Sequence, residues 1–342
     1  MDAAHRAISE IERLAGHDVQ LRNIAPLAAH VRGSLGAAAL SLARHPRPSV
    51  AIITGFFLAH GAPPNCETDG PPGAVMLAAG LHAAGVPCRL ATDLVNARVL
   101  RATMAAAGLG AAVPLDIVSM HAAGGDDGAP LAAVRRSWLE AELPISHVVA
   151  IERCGPSRDG TARNALGHDI SAVNAPLERL FEAGPWITIG IGDLGNEIGM
   201  GSLPYELVAA SVPNGARLWC TVSCDYPIVC GISNWAGASL LGAMALSAPR
   251  WSSAMLAHMT PAFAGRLLEA AVRDGGAVSS DRDGGPPRPW LSVDGLPWGV
   301  VERTYRRIYD ACGEALGQRG GSAAGQASEA LRRSACAASW SR

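Results

Sequence analysis

The densest run of chemically useful residues spans positions 190–201, which read GIGDLGNEIGMG. Asp193, Asn196 and Glu197 supply side-chain oxygens, and glycines such as Gly192 let the backbone approach a small ligand closely. Carboxylates in such a loop can exchange protons with a substrate, so Asp193 and Glu197 are predicted to be catalytic. Mg²⁺ or Mn²⁺ prefers the same oxygen ligands, and a cation held by Asp193 and Glu197 is a second prediction. Gly192 and Asn196 are predicted to contact the substrate.

The same segment contains the pattern GxGxxG, at Gly190, Gly192 and Gly195, which is typical of dinucleotide-binding folds. That interpretation requires an early strand, a following helix and an acidic residue about 20 positions later. Here the pattern lies in the middle of the chain, and Asp193 and Glu197 inside it would repel a pyrophosphate. The sequence therefore disfavours an NAD cofactor.

A second acidic loop, ETDGPPG at residues 67–73, precedes a predicted helix. Thr68 or Asp69 can act as a plain N-cap that satisfies free N–H groups of the helix. Alternatively, the helix N-terminus holds an anionic group while Glu67 faces the ligand. A helix N-cap needs one such side chain, whereas this segment places two acids and a threonine before its two prolines. Asp69 is therefore predicted to be catalytic, and Glu67 and Thr68 to bind substrate.

The third loop starts with Glu152 and Arg153 at the end of a predicted apolar strand. The two residues are either a plain ion pair or part of a site in which arginine clamps a carboxylate through two hydrogen bonds. Asp159 and Asn164 follow in a segment that is either a simple turn or a substrate contact. We predict Glu152 to be catalytic, and Arg153, Asp159 and Asn164 to bind substrate.

The remaining candidates lie at the ends of other predicted strands. The predicted substrate contacts there are Thr54, Gly55, Asp225, Ser233 and Asn234. Asn234 is equally well placed to be a helix N-cap. His60 and His168 lie in neighbouring loops, and no role is predicted for them. Because ligands bind at the carboxyl ends of strands in open parallel sheets, these loops are expected to converge on one crevice.

One absence narrows the chemistry, because the 342 residues include no lysine. This excludes a PLP enzyme with its own lysine, other Schiff-base enzymes and a normal P-loop nucleotidase. The eight cysteines are scattered without a CxxC pair, which favours reduced thiols over disulfides or zinc. A net charge of −2 provides no basic field, so neither nucleic acid nor a membrane surface is an expected partner.

The chain lacks any run of about 18 apolar residues that would predict a transmembrane helix. Its first residues include Asp2, Glu10 and Glu12, which do not fit a signal or transit peptide. A cytoplasmic location and a small-molecule substrate are expected. A homo-oligomer is compatible with the sequence, which does not define the assembly.

Short apolar runs alternate with helical patterns along the chain. Strands are predicted at residues 49–54, 87–91, 114–119, 147–151, 186–191 and 218–222. Helices are predicted within residues 3–45 and at 71–84, 96–107, 131–141, 235–246, 261–272 and 300–316. This alternation predicts an α/β fold with a doubly wound, mostly parallel sheet and flanking helices in three layers.

The same pattern suggests how the chain is divided. Residues 1–46 are predicted to form an N-terminal helical segment packed on the main domain, which spans residues 47–316. Residues 275–288 are predicted to be a mobile, turn-rich loop. The Gly-, Ala-, Ser- and Arg-rich residues 317–342 are predicted to be a disordered tail.

With these segments in order, the sequence resembles the D-glutamate cyclase family. The matching pieces are Thr54-Gly55-Phe56, ETDGPPGA at 67–74, AIER at 150–153, Asp159-Gly160, Asn164, GIGD at 190–193, GNEIGMG at 195–201, Asp225, GISNW at 231–235 and DGLP at 294–297. The resemblance extends over about residues 50–300, and ETDGPPGA together with GNEIGMG is specific.

The resemblance implies dehydration of free D-glutamate to 5-oxo-D-proline. It implies that Asp193 or Glu197 is the base, that a cation or a protonated acid polarises the γ-carboxyl group, and that Arg153 holds the α-carboxylate. The sequence departs from the family at four places. The family usually has arginine at Pro156, two tyrosines at Ala162-Arg163, glycine at Leu194 and a histidine near Glu302.

Two alternatives follow from these departures and from the glycine-rich segment. A divergent relative would act on another small amino or hydroxy acid as a racemase or lyase. A non-catalytic metabolite-binding protein would use the glycines as a cradle, although the many acids argue against it.

Overall fold

The computed structural model describes residues 3–120, 129–182, 184–281 and 284–317. The central feature is a six-stranded sheet in which all neighbouring strands are parallel. The strands are β1 Val50–Thr54, β2 Phe57–Leu58, β3 Asn65–Cys66, β4 Cys88–Asp93, β5 Leu115–Val118, β6 His147–Ile151, β7 Ile187–Gly192, β8 Tyr226–Val229, β9 Ser292–Val293 and β10 Leu296–Pro297. Strands β2 and β3, and likewise β9 and β10, form two small antiparallel ribbons.

Helices cover both faces of this sheet. They are α1 Ala3–Ala15, α2 Ala25–His30, α3 Ser34–Arg44, α4 Pro71–Ala83, α5 Ala97–Ala106, α6 Leu131–Leu139, α7 Glu178–Glu182, α8 Tyr205–Ser211, α9 Gly215–Leu218, α10 Ser233–Ser247, α11 Ser252–His258, α12 Pro261–Arg273 and α13 Trp298–Ala315. Val50 and Ile52 of β1 enter the core on one face, while Ala51 and Ile53 enter the core on the other. Successive side chains of a strand point to opposite faces, so both cores are built from the same strands. The predicted three-layer, doubly wound α/β fold is confirmed.

The order of the strands creates the crevice in which a ligand would bind. The order is β5-β4-β1-β6-β7-β8, so the chain builds outward from β1 and then returns to build the other half from β6. Strands β1 and β6 are paired, with Thr54 opposite Ile151. At such a switch point the following loops diverge and leave a crevice beyond the carboxyl ends of the strands. Residues after β1 and β6 therefore border this crevice.

Helices α4 and α10 pack closely against each other and are buried along most of their length. Their glycines permit this approach, because a Cβ atom at Gly237 would collide with the carbonyl oxygen of Gly73. A Cβ atom at Gly73 would lie 2.7 Å from the Cα atom of Asn234. The close contact brings together the N-terminal ends of both helices.

The segment between α1 and α2 also reaches this region. The N–H group of Gly231 donates a 2.8 Å hydrogen bond to the carbonyl oxygen of Ala15. A Cβ atom at Gly231 would collide with the carbonyl oxygen of His17. The first residues after α1 thus lie directly against the loop that leads into α10.

One strand prediction is wrong. Residues 218–222 do not form a strand, since α9 ends at Leu218 and the next strand is β8 at Tyr226–Val229. The run is apolar because Cys220 and Val222 are buried against other loops, where the N–H group of Cys220 donates to the carbonyl oxygen of Gly195. Pro227 is compatible with β8 because that strand is at the edge of the sheet.

Two further observations concern the predicted loop and tail. Residues 275–288 contain no helix among those described, and Ser279 and Arg288 exchange two backbone hydrogen bonds. The predicted tail lies outside the described residues from position 318 onward. In the parts of the chain that the structure describes, no helix is both long enough and apolar enough to cross a membrane.

The contact between α4 and α10 can be tested with two alanine substitutions in α10. Gly237→Ala is expected to destabilise the protein by about 2–3 kcal/mol, because the new methyl group meets backbone of α4. Gly242→Ala is the matched control, since its Cβ would lie 3.1 Å from the flexible end of Met259. Both changes bring the same gain in helix propensity. Equal urea midpoints for the two variants would contradict this packing.

Candidate active site

A cavity of about 370 Å³ opens beyond the carboxyl ends of β1, β6 and β7. Five of the predicted site residues line it, namely Glu67, Glu152, Asn164, Asp193 and Asn196. The other described lining residues include Arg22, Phe56, Leu58, His60, Leu194, Asp281 and Asp294. The predicted loops after β1, β6 and β7 therefore converge, as expected.

Asp69 and Asn234 cap each other's helices. The carboxylate of Asp69 accepts hydrogen bonds from the N–H groups of Ser233 at 2.9 Å and Asn234 at 2.7 Å, and from Gly70 at 2.9 Å. In return, Oδ1 of Asn234 accepts from the N–H groups of Gly70 at 3.1 Å and Gly73 at 2.7 Å. Burial raises the pKa of Asp69 to about 8, although these backbone donors lower it. Both residues thus hold the two helix ends beside the cavity.

Glu152 is the first residue after β6 and has a left-handed backbone, with φ 46°. The hydroxyl of Ser233 donates a 2.5 Å hydrogen bond to Oε2 of Glu152. Burial, followed by the nearby charges of Asp193 and Glu197, raises the pKa of Glu152 well above its ordinary value. A Cβ atom at position 70 would lie 2.8 Å from the Cβ of Glu152, so Gly70 is required there. These surroundings favour the protonated form of Glu152.

Glu197 stabilises the loop that carries Asp193. Its carboxylate accepts hydrogen bonds from the N–H groups of Asp193 at 3.1 Å, Leu194 at 3.0 Å and Gly195 at 2.8 Å. A Cβ atom at Gly192 would collide with this carboxylate. Because both oxygens of Glu197 are engaged by backbone donors, it is a positioning residue. Its predicted roles as a base and cation ligand stay predictions.

Asp193 projects into the cavity, where it meets an arginine that the sequence did not reveal. Nη1 of Arg22 donates a 2.5 Å hydrogen bond to Oδ2 of Asp193 and lies 3.5 Å from Oδ2 of Asp294. Burial raises the pKa of Asp193 well above its usual range, while Arg22 lowers it. Burial lowers the pKa of Arg22, but the carboxylates of Asp193 and Asp294 more than offset this and raise it. Arg22 therefore stays charged and favours the ionised form of Asp193.

Asp294 is a second lining residue that was not predicted as part of the site. It lies in the turn between β9 and β10 with φ 51°, and Nε2 of Gln20 donates a 2.8 Å hydrogen bond to its Oδ2. The motif DGLP at 294–297 was its only sequence signal. Arg22 gave no local signal, because it lies in a stretch predicted to be helical.

Arg153, which was predicted to bind substrate, contacts groups of the protein itself. Its guanidinium lies 2.7 Å from the carboxylate of Asp93 and donates to the carbonyl oxygens of Gly55 at 2.8 Å and Ala175 at 2.6 Å. Arg153 and Asp93 are both fully buried, and neither lines the cavity. The arginine ties the loop after β1 to the segment around Ala175.

Asp159 and Asp225 also lie away from the cavity. Asp159 has a side chain that is 58% exposed, and it pairs with Arg163 in a turn, as the alternative interpretation predicted. Asp225 accepts hydrogen bonds from the N–H group and hydroxyl of Thr188, each at 2.8 Å. Thr188 is at the start of β7, so Asp225 lies at the amino ends of the strands, whereas the cavity lies at their carboxyl ends. Its predicted position depended on the incorrect strand at residues 218–222.

Several buried polar atoms around the site have no hydrogen-bond partner. They include Oγ1 of Thr54, Oε1 of Glu67, Oγ1 of Thr68 and Oδ1 of Asn196. Glu67 and Asn196 line the cavity. Burial and the charges of Asp294 and Asp69 raise the pKa of Glu67 well above its usual value. Buried polar groups without partners are unfavourable, so the unpartnered atoms of Glu67 and Asn196 mark a place for a polar ligand in the cavity.

Two predicted contacts shape the walls of the cavity. Oδ1 of Asn164 accepts hydrogen bonds from the N–H groups of Leu166 at 3.1 Å and His168 at 3.0 Å. Nδ2 of Asn196 donates a 2.9 Å bond to the carbonyl oxygen of Arg163. Asn164 therefore fixes its own loop, while Asn196 joins that loop to the segment that carries Asp193.

A cation would find a ligand set slightly different from the predicted pair. Asp69, Glu152 and Asp193 each offer a carboxylate oxygen, and these oxygens lie within 4.8 Å of one another. Carboxylate oxygens suit hard cations such as Mg²⁺ or Mn²⁺. Asp193 belongs to this set, whereas Glu197 does not. The presence of a cation remains a prediction.

Stability measurements can test the structural role of Arg153. Arg153→Met is expected to destabilise the protein by about 3–5 kcal/mol, because it leaves Asp93 buried without its partner. Arg273→Met is the control, since Arg273 is exposed and pairs with Glu269 within α12. That change should lower the free energy of unfolding by at most about 1 kcal/mol. A similar small loss in both variants would contradict the structural role of Arg153.

The buried acids predict an unusual pH dependence of stability. Their pKa values are raised in the folded protein, to about 8 for Asp69, whereas unfolded carboxyl groups titrate near about 4. The folded state therefore binds more protons in this window, and stability should fall as the pH rises from about 4 through 8. Glu67→Gln should flatten this decline in thermal unfolding, and the exposed control Glu140→Gln should not. A melting temperature that rises from pH 5.5 to 8.5 would contradict the raised pKa values of these carboxyl groups.

Comparison with known proteins places this site in a family. Residues 11–308 match the family described as D-glutamate cyclase-like, C-terminal. The human protein named D-glutamate cyclase, mitochondrial, is 33% identical over 250 residues, which is 71% of this chain and 39% of the human protein. The chain thus spans about two fifths of the length of that relative. The matched range contains Arg22, Glu152, Asp193 and Asp294, and the protein belongs to the D-glutamate cyclase-like family.

Proposed function

We propose that the protein is a lyase that converts D-glutamate to 5-oxo-D-proline with loss of water. The observation that carries this proposal is the cavity in which buried carboxyl groups with raised pKa values surround an arginine-paired aspartate. Its volume of about 370 Å³ suits a small amino acid. The family match supports the same substrate class.

The proposed reaction sets clear requirements for proton transfer. The α-ammonium group loses two protons in total when its nitrogen becomes the lactam N–H. One oxygen of the γ-carboxylate gains two protons and leaves as water. The overall charge does not change, so the site needs a base beside the amine and an acid beside the γ-carboxyl group.

Asp193 fits the role of the base. Arg22 favours its ionised form, while burial raises its pKa and makes the carboxylate a stronger base toward an ammonium group. Glu152 fits the role of the acid, because burial and neighbouring charges raise its pKa and favour the protonated form. The hydroxyl of Ser233 fixes one of its oxygens. Two carboxyl groups with different surroundings thus take opposite roles.

The rest of the proposed mechanism is positioning. The amine and the γ-carboxyl group belong to one molecule, so a folded conformer held by the cavity walls brings them into contact. Glu197 holds the Asp193 loop, and the caps made by Asp69 and Asn234 hold the end of α10 that carries Ser233. Glu67 offers a further polar contact through its unpartnered oxygen.

A divalent cation is the alternative to a protonated Glu152, because a carboxyl group that holds a cation must be ionised. Asp69, Glu152 and Asp193 are the residues that would hold Mg²⁺ or Mn²⁺, because they offer hard oxygen ligands close together. When bound, such a cation would polarise a carboxyl oxygen of the substrate.

The direct test is incubation of purified protein with D-glutamate, followed by chiral separation and mass detection of 5-oxo-D-proline. Asp193→Asn and Glu152→Gln are expected to lower kcat at least about 100-fold, because each removes a proton-transfer group. Asp159→Asn, which changes an exposed aspartate outside the cavity, is the control. Full activity in either site variant would refute its assigned role. Loss of activity with EDTA and recovery with Mn²⁺ would support the cation, while no effect would assign the chemistry to carboxyl groups alone.

A racemase or another lyase is the second candidate. Asn196, which lines the cavity, contacts the carbonyl oxygen of Arg163, at a position where the family usually has tyrosine. A changed wall could admit a different small acid. Incubation in D₂O separates the candidates, since a racemase exchanges the Cα hydrogen of the recovered amino acid, whereas lactam formation leaves that bond intact.

A further inference from the structure

Arg22 supplies the permanent positive charge among the described residues that line the cavity. It lies between α1 and α2, 171 residues away from Asp193 in sequence, and its side chain is 24% exposed. The acids among the described lining residues are Glu67, Glu152, Asp193, Asp281 and Asp294. Among these described lining residues, Arg22 is therefore the permanent charge that can attract a carboxylate of a ligand.

The guanidinium of Arg22 is engaged on one side only. Nη1 is directed to the carboxylates of Asp193 and Asp294. Among the described residues, none accepts a hydrogen bond from Nε or Nη2 of Arg22. These two N–H groups form the edge of a guanidinium that matches both oxygens of a carboxylate. Asp193 and Asp294 thus orient the side chain and leave this edge for a ligand.

The backbone on both sides of Arg22 is left-handed, which is unfavourable for a leucine and tolerated by an asparagine. Leu21 and Asn23 on either side have φ values of 59° and 62°, and Leu21 is 89% exposed, so its own packing does not explain the strain. Asp18 fixes the turn by accepting hydrogen bonds from the N–H groups of Arg22 at 2.8 Å and Ile24 at 3.2 Å. Strain of this kind concentrates at functional sites.

We propose that the Nε–Nη2 edge of Arg22 binds the α-carboxylate of the substrate, an assignment that rests on the proposed function. A guanidinium does not give up a proton, so it suits the carboxylate that stays unchanged in the reaction. The γ-carboxyl group, which must lose an oxygen as water, needs a proton donor such as Glu152. Arg22 takes no part in proton transfer.

The same arrangement orients the amine. The α-amine and the α-carboxylate share one carbon atom, so a carboxylate held by Arg22 places the amine beside a neighbour of Arg22. Asp193, at 2.5 Å from Nη1, is that neighbour. Arg22 therefore sets the direction in which the γ-carboxyl group enters the cavity, toward Glu152.

The test compares D-glutamate with its α-amide, D-isoglutamine, which keeps the reacting amine and γ-carboxylate. The wild-type protein should favour D-glutamate by about 100-fold in kcat/KM, as expected for a lost bidentate charged contact. In Arg22→Met this preference should fall below about 5-fold, mainly through a higher KM for D-glutamate. Arg273→Met is the matched surface control. An unchanged preference in Arg22→Met would overturn the assignment.

Two further arms keep the assignment separate from the proposed function. Arg22→Lys retains the charge beside Asp193 but loses the planar edge, so it should fold and still lose most of the preference; it decides the outcome if Arg22→Met does not fold. Calorimetric binding of D-glutamate and D-isoglutamine needs no turnover. Binding that depends on Arg22 without any lactam would refute the proposed reaction and support Arg22. If the protein forms the lactam but D-glutamate binds equally well to wild type and to Arg22→Lys, the proposed reaction is supported and the role of Arg22 is refuted.

Discussion

The exchange of caps between α4 and α10 is the interaction on which the site depends. Both helices are buried, so the free N–H groups at their N-termini have no access to bulk water and need protein acceptors. Asp69 supplies acceptors to α10, and Asn234 supplies them to α4. The glycine contact between the helices makes this exchange possible. It also places two positive helix ends beside a group of acids, which offsets part of their mutual repulsion.

Desolvated carboxyl groups are the main consequence of this arrangement. Glu67, Glu152 and Asp193 are buried within one small region, and burial is the largest cause of the rise in each pKa. Their ionisation is unfavourable for folding, and several neighbouring polar atoms lack partners. A protein would not retain such a cluster for stability alone. The cluster is better suited to moving protons on a polar ligand that replaces the missing hydrogen bonds.

The sequence predicted the loops of the site better than the roles of their residues. Strong apolar periodicity located β1, β6 and β7, so Glu152 and Asp193 could be placed at the ends of parallel strands. Glu197 and Arg153 have the residue types of a base and a carboxylate clamp, but their partners are backbone groups and a distant aspartate. Arg22 and Asp294 reach the cavity only through contacts far apart in sequence. Local patterns contain no information about such contacts. The incorrect strand at residues 218–222 led to the prediction that Asp225 follows a strand, whereas it precedes β8.

The most direct measurement follows the oxygen atoms of the γ-carboxyl group. D-glutamate labelled with ¹⁸O at both γ-carboxyl oxygens is incubated with the purified protein, and the product is analysed by mass spectrometry. Intramolecular dehydration predicts 5-oxo-D-proline that retains one ¹⁸O atom, with the other released as labelled water. Recovery of unchanged, doubly labelled glutamate under conditions in which the protein is folded would contradict the account.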